Sequence, residues 1–432
     1  MFIELHLLQA FPPAALNVDD TGAPKSAIVG GVPRARISSQ AWKRAIRTYM
    51  RETGLLDASE LSVRTRRLQD LLGRRLMAGG RDPGDAVLVA SLAIRMLDLT
   101  VDDNGQTPVL LFVANSEVDA LERACNDAWE PLLGAARKLG AQQERTSPAS
   151  DGEDTAPSEG GIRPSRGRSS RDTTRSIRED RREAREATRT LVPDDARDLM
   201  RRVLTTAPRH TDNPSARVLT AVDLALFGRM IATMPGARVD GAAAVAHAVG
   251  VSRLEPETDF FTAVDDLLAT DETGAGMIGT VEFNASTYYR YMTVNVVEVL
   301  DNLSGDAALA RRGVDAFLRA ALLAVPAGRQ RSTAALTRPS VVLLTARRGP
   351  FSLVNAFLQP VASTSREGIM AQATRALARH WENTVRMYGG DDLAGAWLAS
   401  DDQTPLGALA PHLVPDVGTA VTAALAAAGL GA

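Results

Sequence analysis

The stretch Arg34-Ala35-Arg36-Ile37-Ser38-Ser39-Gln40-Ala41-Trp42-Lys43-Arg44-Ala45-Ile46-Arg47-Thr48-Tyr49-Met50-Arg51 organises the reading of the whole chain. Ser38 or Ser39 is a natural N-cap, because a short hydroxyl side chain can accept from the unpaired amides of a first helical turn. Trp42, Ala45, Ile46, Tyr49 and Met50 then recur at helical spacing and form one apolar face. On the opposite side Gln40, Lys43, Arg44, Arg47 and Arg51 fall in a stripe about 100° wide. One side packs and the other presents cations. A helix start also offers free N–H groups and the positive end of its dipole to a phosphate, with Gln40 and Lys43 within reach. Such a surface grips a sugar-phosphate chain and leaves the bases free to pair.

Outward from this helix the elements are mixed. Phe2 to Gln9 alternates as a strand does, and a loop through Pro12 and Pro13 leads to the turn cluster Asn17-Val18-Asp19-Asp20-Thr21-Gly22. Residues 55–139 show helical periodicity and read as an all-helical insertion. From about 141 to 174 the sequence turns to Ser, Gly, Pro, Arg and acid, too polar to order itself, and a charged helix resumes near Arg175 and runs through Arg189. Strands are predicted at Val218–Phe227, Tyr288–Val297 and Val341–Thr345, and helices at Ala307–Leu323, Glu367–Tyr388 and the Ala-rich end after Gly418. Between the first two strands, Val251–Thr287 is irregular, yet its Phe260, Phe261, Met277 and Ile278 are too apolar for a solvated loop. Scattered strands with long insertions give an α+β fold.

Charge and composition restrict the function classes. The 432 residues, 45% hydrophobic with a formal charge of −3, exclude a wholly disordered or fibrous chain. Seven basic residues and no acid lie between Thr21 and Arg51, and seven more (Arg319, Arg329, Arg331, Arg338, Arg347, Arg348 and Arg366) lie between Ala316 and Arg366, again without an acid. The two segments carry +14, so the remaining 350 residues carry −17. Positive charge is concentrated while the rest of the surface repels polyanions. The single cysteine, Cys125, permits no internal disulfide and fits a reducing cytoplasm. No secretory leader or membrane segment is expected, because Glu4 and His6 interrupt the apolar start and the uncharged C-terminal tract is short.

Catalytic signatures are sparse. The five histidines are far apart and none shows metal-site spacing, and neither a phosphate-binding GxxxxGK[ST] loop nor a GxSxG elbow occurs. No cofactor or metal is expected. Asp19-Asp20 is the one acidic pair beside the basic segment: two carboxylates could hold a divalent ion for a metal-dependent ribonuclease, or could simply close an Asx turn, and the turn is favoured. The aromatic pattern of base-stacking RNA recognition strands is absent as well, so sequence-specific reading is not indicated.

Met1-Phe2-Ile3-Glu4-Leu5-His6-Leu7-Leu8, the Asn17-x-Asp19-Asp20-Thr21-Gly22 turn, Lys25, Gly30-Gly31 and the Arg34 to Arg47 motif together resemble the CasC family. That family is the repeated backbone subunit of the type I-E CRISPR surveillance complex, Cascade. The likeness continues through Gly228-Arg229-Met230, Val239-Asp240-Gly241-Ala242, Phe260 to Asp266, Tyr289-Arg290-Tyr291 and Val325-Pro326-x-x-x-Arg329-Gln330-x-x-Thr333. It implies an RRM-like (ferredoxin-like) palm over residues 1–54, 215–250 and 288–432, a helical fingers domain over 55–214, and a β-hairpin thumb over 251–287. It also implies a non-catalytic subunit that polymerises along CRISPR RNA and presents it to target DNA, with copies of itself in a helical stack and other Cascade subunits as partners. By the resemblance, Lys25, Arg34, Arg36, Ser38, Gln40, Lys43, Arg44 and Arg47 hold the RNA, Arg229 and Met230 sit at its kink, and Phe260, Phe261, Thr262 and Ile278 make thumb contacts. Val18 and Val32-Pro33 stand where the family is more basic, a loss that Arg338, Arg347 and Arg348 could offset.

Overall fold

The computed structural model describes all residues except 98, 100, 103, 147–191, 193, 195–219, 231–236, 264–276, 365–366, 402–405 and 432. The polar stretch after residue 146, the charged helix expected at 175–189 and the Asp265-Asp266 pair therefore lie outside the described residues. The strands in chain order are β1 (Phe2–Ala14), β2 (Ser26–Val29), β3 (Val32–Ile37), β4 (Ser62–Thr65), β5 (Leu111–Ala114), β6 (Ala243–Val245), β7 (Ala248–Gly250), β8 (Glu257–Ala263), β9 (Met277–Asn295), β10 (Val341–Arg347) and β11 (Leu393–Ser400). Two compact units result, one of Met1–Leu61, Ala225–Gly228 and Gly241–Ala432, the other of Ser62–Leu224 and Arg229–Asp240.

The first unit is built on one antiparallel sheet ordered β11-β10-β1-β9-β7-β3-β2, with β6 and β8 also pairing with β9. Along the chain β1, helix α1 (Ser39–Glu52), the β6–β7 pair, β9, helix Ala307–Leu323 and β10 make a β-α-β-β-α-β run. The partial order β10-β1-β9-β7 places the fourth and third of these strands on either side of the first. This is the ferredoxin-type arrangement, so the fold is α+β as expected. Strand β1 is buried on both faces because each face is covered by helix. On one face α1 and Ala307–Leu323 pack together, with Trp42, Ile46 and Met50 buried. There the guanidinium of Arg290, opposite Leu7 in the sheet, lies 3.6 Å from the Trp42 ring. On the other face Leu8, Tyr289 and Leu343 meet Phe357, Leu377 and Trp381 beneath helix Ile369–Tyr388.

The second unit gathers helices Leu68–Ala78, Pro83–Met96, Asn115–Asp127 and Trp129–Thr146 around Leu72, Leu76, Val89, Leu121, Cys125 and Leu132. Burial pushes the Cys125 thiol up to about 12, so it behaves as a packing group.

Several expectations are corrected. The 55–139 region is not all helical, because Ser62–Thr65 pairs with Leu111–Ala114 in a two-stranded ribbon. The strand expected at Val218–Phe227 is helix Val222–Phe227 where described, since its Asp-Leu-Ala-Leu core suits a helix better than a pleat. Pro12 and Pro13 belong to β1 rather than to a loop, tolerated because the β1–β9 register shifts between Phe11 and Ala14. The strand placed at Tyr288–Val297 begins earlier, at Met277, and ends at Asn295, whose side chain caps the next helix. Thus the irregular-looking Val251–Thr287 contains a hairpin, β8 on β9.

Candidate nucleic-acid interface

The place where β3 becomes α1 is fixed by short polar links. The Ser38 hydroxyl accepts from the Ala41 amide at 3.2 Å, as the sequence predicted for an N-cap, and the Ser38 amide donates to Asn17 Oδ1 at 2.9 Å. Lys25 is tied in by its backbone, donating to the Asn17 carbonyl and accepting from the Arg36 amide, each at 2.9 Å. The Ser39 amide donates to His247 Nδ1 at 3.1 Å, and Arg36 Nη1 lies 3.4 Å from the same nitrogen. Lys25, Arg36, Ser38 and Gln40 therefore converge on one helix start, joined by His247 from the turn between β6 and β7. Burial, then Arg36 and Lys25, hold the His247 imidazole below its ordinary value.

Along α1 the cationic stripe faces away from the buried Trp42, Ile46 and Met50. Gln40 and Arg44 are exposed, and Lys43 and Arg47 are half-buried. Lys43 Nζ lies 5.8 Å from the centre of the Phe227 ring, and burial holds its ammonium below the ordinary lysine range. Among the described residues no carboxylate comes within ion-pair distance of Lys43 or Arg44. A partly desolvated ammonium such as that of Lys43 is costly without counter-charge unless a ligand supplies one.

Two of the predicted contact residues are buried within the fold. Arg34 is fully buried: Nη1 donates to the Gly250 and Val251 carbonyls at 3.0 and 2.9 Å, and Nη2 to those of Phe357 and Leu358 at 2.9 and 3.3 Å. Its alternate neighbour Arg36 stays at the surface side of the same strand end, and Arg34 instead joins β3 to the root of the hairpin and to the covering loop. Arg229, in the second unit, is buried against Glu117 (2.7 Å), the Phe112 carbonyl (3.0 Å) and the Ala237 carbonyl (2.8 Å), while its neighbour Met230 is 82% exposed. Burial lowers the Arg229 guanidinium to about 10.

Arginines of the second basic segment also meet groups of their own protein. Arg347 is buried and pairs with Asp392 at 2.8 Å, Arg338 donates to the Leu323 carbonyl, Arg348 to that of Asp391, and Arg319 pairs with Asp315. In the hairpin Phe260 and Ile278 are 62% and 63% exposed, Thr262 stands opposite Ile278, and the Phe261 ring covers Gly279. A β-carbon on Gly279 would come within 2.6 Å of that ring.

Asp19 behaves as a turn residue. Its Oδ1 accepts from the Thr21 hydroxyl, the Thr21 amide and the Ala23 amide at 2.7, 2.9 and 3.1 Å, and the Thr21 hydroxyl above all holds the carboxyl below its ordinary range. Among the described residues no group of three or more His, Cys, Asp or Glu could hold a metal ion, and no helix is long and apolar enough to cross a membrane.

These features define a basic helix start mounted on a ferredoxin-type sheet, and the sequence model of the CT1975-like protein family matches residues 3–414. The chain belongs to that family. It is 28% identical, with a TM-score of 0.71, to a chain of a structure described as "CRISPR RNA-guided surveillance complex, pre-nicking", covering 99% of this chain and 100% of that one. A second chain, from a "CRISPR RNA-guided surveillance complex", shares the fold with a TM-score of 0.64 at 24% identity, covering 99% and 100%. The comparison with curated proteins finds no match.

Proposed function

We propose that this chain is a non-catalytic, guide-RNA-binding backbone subunit of a type I-E CRISPR surveillance complex of the CasC kind. Copies polymerise along the spacer portion of CRISPR RNA in the cytoplasm, contact other Cascade subunits and present the guide for pairing with target DNA. The observation that carries this reading is the α1 stripe, where Lys43 and Arg44 have no described carboxylate and stand beside a helix start ringed by Lys25 and Arg36. Phosphate recognition needs such a surface and needs no reactive group. Asp19 and Asp20 sit in a turn whose hydrogen bonds occupy Asp19 Oδ1, which favours a structural part for them.

The test is RNA binding by the purified chain across a salt series. Lys43→Ala with Arg44→Ala should flatten the slope of log affinity against log salt by roughly one unit per lost phosphate contact. An unchanged slope rejects the helix-stripe interface. Incubation of labelled RNA with Mg²⁺ should leave it intact; cleavage abolished by Asp20→Ala would reverse the non-catalytic assignment.

A further inference from the structure

His247 is absent from every motif that the sequence singled out, yet it occupies the centre of the basic helix start. Its ring lies at the tip of the β6–β7 turn and is exposed. Two donors converge on Nδ1, the Ser39 amide at 3.1 Å and Arg36 Nη1 at 3.4 Å. Neither the amide nor the guanidinium can accept, so Nδ1 must be the lone-pair nitrogen and the neutral ring carries its proton on Nε2. Among the described residues Nε2 has no partner. The fold has thus fixed a tautomer and an orientation, and has left the remaining N–H without a protein acceptor.

We propose that His247 is an RNA-contacting residue of this site, its Nε2–H donating to a phosphate oxygen of the strand held by Lys25, Arg36 and the α1 stripe. The proposal rests on the RNA-binding reading and adds a donor to it. The charged groups around the ring are Arg36 on β3 and Lys25 in the segment before β2, both cationic. They disfavour protonation of the ring in the free protein, and a bound phosphate opposes them. RNA binding therefore draws a proton onto the ring as pH falls through the ordinary histidine range, and affinity rises with it. Protonation also costs Nδ1 its lone pair, and with it the bond from the Ser39 amide.

Two substitutions separate the ring nitrogens. His247→Asn places an acceptor where Nδ1 sits and removes Nε2; His247→Gln reaches the Nε2 position with an N–H and gives up the bond to Ser39. The expected result is that His247→Asn keeps the wild-type unfolding midpoint but binds a single-stranded RNA oligonucleotide several-fold more weakly. It should also lose the tightening seen between pH 7.5 and pH 5.5, while His247→Gln binds closer to wild type. Wild-type affinity and an unchanged pH profile in His247→Asn would overturn the proposal and leave the histidine as a helix cap. Wild-type protein that binds no RNA in a salt-dependent way would overturn the underlying reading as well, and the two failures are told apart by the wild-type salt series alone.

Discussion

The two acid-free basic segments carry the same charge and place much of it differently. In Thr21–Arg51 the cations of α1 stand on the face turned from Trp42, with Arg44 exposed and Lys43 meeting only an aromatic ring among the described residues. In Ala316–Arg366 four arginines meet groups of their own protein: Arg319 meets Asp315, Arg338 and Arg348 meet main-chain carbonyls, and Arg347 meets Asp392 and Glu4. Charge density along the chain is therefore a poor guide to a binding surface. What decides is whether each cation meets an acceptor from its own protein; in the second segment those acceptors are the carboxylates of Asp315 and Asp392 and the main-chain carbonyls of Leu323 and Asp391.

The contrast can be broken most sharply at Arg347. Arg347→Ala leaves Glu4 and Asp392 without their buried partner and should cost about 3–5 kcal/mol, read as a lower urea midpoint with RNA binding per folded molecule unchanged. A loss of RNA affinity without loss of stability would place this arginine with the first group. Gly30→Ala comes next. The residue has φ +60° and a β-carbon would stand 1.7 Å from the Leu358 carbonyl oxygen, so the β2–β3 hairpin must shift, at an expected cost of about 1–3 kcal/mol. Smallest in stability is the Lys43→Ala, Arg44→Ala pair, expected within about 1 kcal/mol of wild type by thermal unfolding although it removes the salt-dependent grip. An unfolding midpoint depressed as far as that of Arg347→Ala would show the stripe to be structural.

Much of this arrangement was legible in residue order. Trp42, Ile46 and Met50 at helical spacing after Ser38 announced α1 and its buried face, and the run Ala307–Leu323 gave its packing partner. Local patterns could not show that Arg34 and Arg36, two apart on one strand, have opposite fates, because burial of Arg34 depends on carbonyls 216 to 324 residues away. For the same reason His247 gave no signal: its role arises from the pairing of Ile37 with Ala248, which brings two remote turns together. The ribbon Ser62–Thr65 with Leu111–Ala114 escaped because each strand is four residues long and lies among helices.

Strand β9 runs unbroken for 19 residues, hydrogen-bonded to β8 at its start and to β1 along its second half. A force applied along the hairpin is delivered axially into the β1–β9 ladder, whose bonds lie across the pull and must yield together rather than one after another. The hairpin is thereby anchored in shear, the loading direction in which an antiparallel pair is hardest to separate.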